Sequence, residues 1–141
     1  MTIIQKEIHL PVFSRGFHLI TTLITDELPE IRKIKTGSMQ VFIKHTSASI
    51  CINENADSTV REDLEAFMNR LIPENLPYFK HNYEGSDDMP AHIKASFFGH
   101  NVQIPITDGQ LNLGTWQGIY LGEHRNYGGS RTLVVTLMGQ S

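Results

Sequence analysis

Residues 37–45 read GSMQVFIKH. After the glycine, Met39, Val41, Ile43 and His45 alternate with Gln40, Phe42 and Lys44, so the two sets fall on opposite faces of a strand. The first set forms an apolar face with a histidine at its end. Upstream, Ile4, Lys6, Ile8 and Leu10 alternate with Gln5, Glu7 and His9, which predicts an earlier strand ending at Pro11. Between the two, Leu23, Ile24, Leu28 and Ile31 recur at helical spacing over Thr21–Ile31, with Pro29 disturbing the last turn.

Downstream, the small residues Thr46, Ser47, Ala48 and Ser49 and the apolar Ile50, Cys51 and Ile52 lead through Asn53 and Glu54 to a predicted helix from Asp57 to Leu71. Asp57 suits its N-cap, and Val60, Leu64, Phe67, Met68 and Leu71 make its inward stripe. Pro73 to Asp88 has no sustained period, and a loop of that length is often functional. Pro90 then fits the first turn of a helix running to Phe98, capped by Asp88 or Met89. Two further strands are expected at Leu111–Leu121 and Arg131–Met138, joined by a hairpin turn at Gly128 and Gly129. Strands at both ends with helices between them predict an α+β class: an antiparallel, sandwich-like sheet with a few surface helices in a single domain.

The 141 residues suffice for one sizeable core, and 40% apolar with 19% charged residues favours a folded chain. A net charge of -3 without a lysine and arginine run argues against nucleic acid as partner. The single cysteine, Cys51, fits a reducing cytoplasm. Met1 to Leu10 lacks the apolar core of a signal peptide, and no stretch is long enough to span a membrane.

Seven histidines are many for this length, and His45, His81, His92 and His124 fall beside acidic, amide or small residues. Neutral imidazole ligates zinc, iron or nickel, and three such ligands leave a position open for substrate. Eleven positions separate His81 from His92, so no paired motif fixes two ligands on one element. Asp88, four positions before His92, either orients that ring or caps the helix. His45 reads as a ligand or base, or as a core histidine satisfied by the backbone. Glu54 and Asp57 can move a proton or simply stabilise a helix N-terminus. Gln117, on the apolar side of its predicted strand, needs a partner and can hold substrate or bridge the core. Trp116 is expected to pack, and Arg125 is the best-placed cation for an anionic substrate.

The run His45, Thr46, Ser47, Ala48, Ser49 with Asn53, Glu54, Asn55 and Asp57 resembles the first signature of the YjbQ-like family. Two further signatures follow in order: His81, Asn82, Tyr83, Glu84, Gly85 through Asp87, Asp88, Met89, Pro90, Ala91, His92, and Gly114, Thr115, Trp116, Gln117, Gly118, Ile119. The resemblance spans essentially the whole chain. It implies a homotrimer with sites near subunit boundaries that hold a divalent metal ion such as zinc, iron or magnesium. It also implies secondary thiamine-phosphate synthase activity, joining a hydroxymethylpyrimidine diphosphate to a thiazole phosphate. Combined with the residues, it assigns His45, His81 and His92 to metal, Glu54, Asp57 and Asp88 to proton handling, and Ser47, Asn53, Gln117 and Arg125 to a small-molecule substrate. The alternatives are a metal-dependent hydrolase and a non-catalytic trimeric binding or scaffold protein.

Overall fold

The computed structural model describes all residues from Met1 to Ser141. The alternating segments form strands: β1 (Thr2–His9), β2 (Gly16–Leu19), β3 (Thr36–Ile43) and β4 (Ala48–Glu54) in the first part, then β5 (Asn101–Thr107), β6 (Gln110–Leu111), β7 (Gln117–Glu123) and β8 (Thr132–Gln140). Helices α1 (Thr21–Asp26), α2 (Ser58–Leu71) and α3 (Asp88–Phe98) lie between them. The expected helix over Thr21–Ile31 breaks in two. Pro29 lacks the amide hydrogen that would continue α1, and a 3-10 turn at Pro29–Lys33 replaces its end.

The strands make two antiparallel sheets, one of five strands in the order β1-β8-β3-β5-β6 and one of three in the order β2-β7-β4. They face each other across Met39, Val41, Ile43, Leu133, Val135 and Leu137 on one side and Ala48, Ile50, Ile119 and Leu121 on the other, all buried. The α+β class and the antiparallel, sandwich-like arrangement are as expected. Helix α3 covers β4 and α2 lies over the edge strand β2, so the smaller sheet is buried on both faces. An edge position gives α2 less to pack against than its stripe offers: Met68 is buried, while Phe67 and Leu71 stay exposed.

Two connections differ from expectation for one reason, the change of sheet. The alternation at Leu111–Leu121 belongs to two strands in different sheets, and residues 112–116 between them form a loop. Gln117 is exposed at the start of β7, where its Oε1 accepts the Gly114 N–H at 2.8 Å. Gly128 and Gly129 close no hairpin, since β7 and β8 lie in different sheets. Their segment crosses between layers, and Gly128 passes so close to Glu123 that a Cβ would lie 2.1 Å from its carboxylate.

Close approach also fixes the centre of the large sheet, where Gly37 pairs with Gly139. A Cβ on Gly37 would stand 2.1 Å from the Met138 carbonyl and 2.7 Å from Gly139 Cα. Gly37→Ala is therefore expected to lower stability by about 2–3 kcal/mol, since the backbone must move to admit the methyl group. Urea unfolding checks this as a shifted midpoint at unchanged slope, and an unmoved midpoint would show that β3 and β8 separate freely.

Candidate metal centre

Helix α3 opens on two adjacent carboxylates, Asp87 at the N-cap position and Asp88 in the first turn. Neither side chain caps the helix. Asp88 is buried, and its Oδ2 lies 2.6 Å from His81 Nε2 and 3.1 Å from His92 Nε2. His92 reaches it because residues four apart share a helix face, whereas His81 arrives from the long loop before α3. The two ring nitrogens and the carboxylate oxygen lie within 4.8 Å of one another. The rings keep 42% and 30% of their side-chain surface in solvent, so the group has an open side.

Hydrogen bonding decides which nitrogen of His92 is free. Its Nδ1 is 3.0 Å from the Thr46 carbonyl, which only accepts, so Nδ1 carries a hydrogen and donates it. In the neutral ring Nε2 then presents a lone pair to the Asp88 carboxylate. Two electron-rich atoms facing each other at 3.1 Å require a cation or a proton between them. A carbonyl-held Nδ1 with Nε2 turned to a carboxylate-lined opening is the arrangement by which metal-binding histidines are oriented.

Arg125 clamps the carboxylates from behind. Its Nη1 donates to Asp88 Oδ1 at 2.8 Å, its Nε to Asp87 Oδ2 at 2.9 Å and its Nη2 to the Glu84 carbonyl at 2.8 Å. Burial pushes the Asp88 carboxyl upward most strongly of any single cause, but the His81 hydrogen bond and the charges of His92 and Arg125 together hold it below the usual range. Asp87 shows the same balance, with Arg125 and the Asn126 N–H outweighing burial.

Arg125 is itself placed by a buried ion pair. Arg131 Nε and Nη2 grip the two Glu123 oxygens at 2.8 and 2.6 Å, and Nη2 also reaches the Ser47 carbonyl and hydroxyl. Glu123 Oε2 accepts the Arg125 N–H at 3.2 Å, which carries the constraint into the loop. Next to this pair, Ser49 Oγ lies 2.8 Å from His124 Nε2, and both residues are buried. Burial, then the charges of Lys94, Arg131 and Arg15, lower the His124 pKa to about 3.

The residues assigned to one site fall at two ends of the β4–β7 ladder. Ala48 pairs with Glu123 at one end and Glu54 with Gln117 at the other, about 20 Å apart at the usual strand rise. The end near Ala48 and Glu123 holds His81, Asp88, His92 and Arg125. Ser47 is there too, but its hydroxyl accepts from Arg131. His45 is not part of the cluster. It lies beyond the end of β3, and its Nε2 accepts the Thr132 N–H at 2.8 Å, the role of a satisfied core histidine. Burial, followed by the Arg131 charge, lowers its pKa.

At the far end Glu54 and Asp57 perform helix capping: Glu54 Oε2 accepts the Asp57 N–H and Asp57 Oδ1 the Thr59 N–H. Asn53 Oδ1 accepts the next backbone N–H, from Glu54. Asn55 holds the Trp116 loop, donating from Nδ2 to the carbonyls of Thr115 and Gln117, and Trp116 is exposed rather than packed. Asp87, Glu123, Arg131 and the Thr46 carbonyl were not assigned to the site from sequence.

The family model described as UPF0047 protein YjbQ-like matches residues 6–140. The chain belongs to this family. UPF0047 protein YjbQ of Escherichia coli O157:H7 is 48% identical over 136 residues, covering 96% of this chain and 98% of that protein. A UPF0047 protein of Methanocaldococcus jannaschii is 45% identical over 74% of this chain and 72% of its own. Among solved structures, an uncharacterised YjbQ/UPF0047 family protein from Clostridium acetobutylicum has a TM-score of 0.83 at 36% identity, covering 94% of this chain and 99% of that one. A YbjQ-like protein of unknown function from Sulfolobus solfataricus also has a TM-score of 0.83, at 26% identity and 99% coverage of both chains. In this UPF0047 chain no helix is long and apolar enough to cross a membrane.

The neutral His124 makes stability depend on pH. The unfolded chain takes up a proton near the ordinary value of 6.5, which the folded protein refuses until about 3. The stabilisation is therefore complete above pH 6.5 and is lost as pH falls through that window, at about 1.4 kcal/mol per pH unit. Urea midpoints at pH 6 and 5 are expected to show this slope in the native protein and to lose about that much of it in His124→Asn.

Proposed function

We propose that His81 Nε2, Asp88 Oδ2 and His92 Nε2 hold a divalent cation, and that the protein is a metal-dependent enzyme acting on a small molecule. The Thr46 carbonyl carries this reading, because it turns Nε2 of His92 toward the Asp88 carboxylate beside His81, an opposition that a bound cation relieves as a proton does. Two imidazoles and one carboxylate suit zinc or iron, and three protein ligands with an open side suit a catalytic rather than a structural site. A bound cation supplies Lewis acidity, polarising a carbonyl or phosphoryl oxygen or making water a better nucleophile. The chain supplies the rest: Thr46 fixes the His92 ring, Arg125 turns Asp88 Oδ2 outward, and His81 leaves one side of the group open to substrate.

Within this reading, hydrolysis of a small carbonyl or ester substrate suits the site better than thiamine-phosphate synthesis. Releasing a diphosphate calls for free positive side chains as well as a cation. The nearby ones are engaged: Arg125 with Asp87 and Asp88, Arg131 with Glu123, and Lys94 Nζ with Asn69.

Elemental analysis and titration with zinc and manganese test the metal. Near-stoichiometric binding is expected in the native protein and in His45→Ala, and its loss in His81→Ala, Asp88→Asn and His92→Ala with the circular dichroism spectrum kept. Arg125→Gln is expected to weaken binding roughly ten- to one-hundred-fold, the usual cost of removing a group that orients a ligand. Protein that stays metal-free under saturating zinc or manganese would overturn the assignment. With metal established, a panel of esters and amides against the two phosphorylated thiamine precursors separates hydrolase from synthase.

A further inference from the structure

A cleft of about 500 Å³ opens between the end of β3 and α3, next to the histidine cluster. The stripe of α3 that carries Asp88 and His92 continues four positions on to Ser96, which lines the cleft together with Ala95. Thr46 belongs to both places: it borders the cleft, and its carbonyl holds His92 Nδ1. Ser96 makes a second connection, donating from Oγ to the His92 carbonyl at 3.1 Å. Small side chains at Ala48, Ala95 and Ser96 keep the space open.

His45 brings one unpaired group to this cleft. Its Nε2 accepts the Thr132 N–H at 2.8 Å, and a backbone N–H only donates, so Nε2 carries the lone pair. Burial, then the Arg131 charge, lower the pKa of the ring, which is therefore neutral at pH 7. A neutral imidazole with its lone pair on Nε2 has its hydrogen on Nδ1, across the ring. Nδ1 finds no acceptor in the chain, yet it is not among the side-chain nitrogens cut off from solvent. The cleft thus receives an accessible N–H donor whose tautomer the backbone fixes.

The rest of the lining selects what that hydrogen meets. Lys44 is the one lining residue with a permanent charge, and its Nζ is taken by Glu7 at 3.0 Å. Phe42, Ile43, Ala48 and Ala95 make the walls largely apolar. A phosphate or carboxylate finds no free cation there, and a cation finds no carboxylate. An uncharged oxygen acceptor on an apolar body suits both the donor and the walls. We propose that this cleft binds an uncharged carbonyl compound, an amide or ester, whose carbonyl oxygen accepts the His45 Nδ1 hydrogen. A carbonyl held there lies about one helical turn from His92, and a fixed neutral donor polarises it without attracting anions. The inference rests on the metal-dependent reading for what then happens to the carbonyl; the binding itself needs no metal.

NMR titration of the full-length protein, with and without zinc, tests the assignment, using benzamide as the probe and benzoate, phenyl phosphate and toluene as comparisons of like shape. Long-range proton–nitrogen spectra at pH 7 are expected to show His45 as the Nδ1–H tautomer. Benzamide is expected to shift its Nδ1 resonance saturably and to bind about ten-fold tighter than any of the three comparisons. His45→Phe is expected to weaken benzamide roughly five- to ten-fold, the loss of one hydrogen bond. Ser96→Leu fills the cleft from the helix surface, leaves the Thr132 bond alone and is expected to abolish the shift. His81→Ala, which removes a metal ligand outside the cleft, leaves benzamide binding unchanged. Benzamide binding without metal binding therefore upholds the cleft and fails the enzyme reading, and metal binding without benzamide binding fails the cleft alone. The proposal is overturned if His45 is the Nε2–H tautomer, if millimolar benzamide leaves Nδ1 unshifted, if benzoate or phenyl phosphate binds as tightly, or if the shift survives in Ser96→Leu. Should His45→Phe not fold, Ser96→Leu decides.

Discussion

Glu123 and Arg131 form an ion pair with almost no access to water, and much of the molecule is arranged around it. One sits at the end of β7 in the small sheet and the other just before β8 in the large one, so the pair joins the layers where the chain crosses between them. Burying two such charges costs several kcal/mol each unless every polar atom is matched. Here both carboxylate oxygens take guanidinium hydrogens, and the second Nη2 hydrogen of Arg131 goes to Ser47. Gly128 has to be bare to let the loop pass over the pair.

That arrangement reaches the surface through Arg125, which the pair presents at a fixed height above the start of α3. Two adjacent buried carboxylates repel each other. The helix N-terminus and the Arg125 guanidinium supply the positive field that keeps both ionised. Since Arg125 takes one oxygen of Asp88, the other is left for the histidines. The sequence reading treated Arg125 as a hand for substrate. Its geometry makes it a support for Asp88.

What the sequence made legible follows from where its signals are local. The alternation of Met39, Val41 and Ile43, the N-cap at Asp57 and the Asp88–His92 spacing depend on neighbours a few positions away, and each has its expected local geometry. Sheet membership is a long-range property, so one alternating run at Leu111–Leu121 concealed a change of sheet, and two glycines suited to a hairpin serve a crossing. β5 was not expected although Val102, Ile104 and Ile106 alternate along it with Gln103, Pro105 and Thr107; Pro105 falls on its exposed side. His81 was placed with His92 in one ligand set with the help of the family resemblance, whereas spacing alone could not place it there, since a loop without helix or strand brings it in.

The first family signature shows why closeness in sequence misled the site assignment. His45 to Ser49 and Asn53 to Asp57 look like parts of one constellation, yet β4 runs between them as a rigid extended segment. An extended strand keeps nearby residues farther apart than any other element does, about 3.3 Å per residue. The compact motif is therefore drawn out into two ends, one supplying the Thr46 carbonyl to His92 and the Ser47 hydroxyl to Arg131, the other building the cap of α2 and the seat of the Trp116 loop. Residues that meet at the cluster instead come from a loop, a helix and the crossing after β7, elements whose spacing in sequence carries no distance information. An ordered signature can thus be dense in one dimension because it serves two places in three.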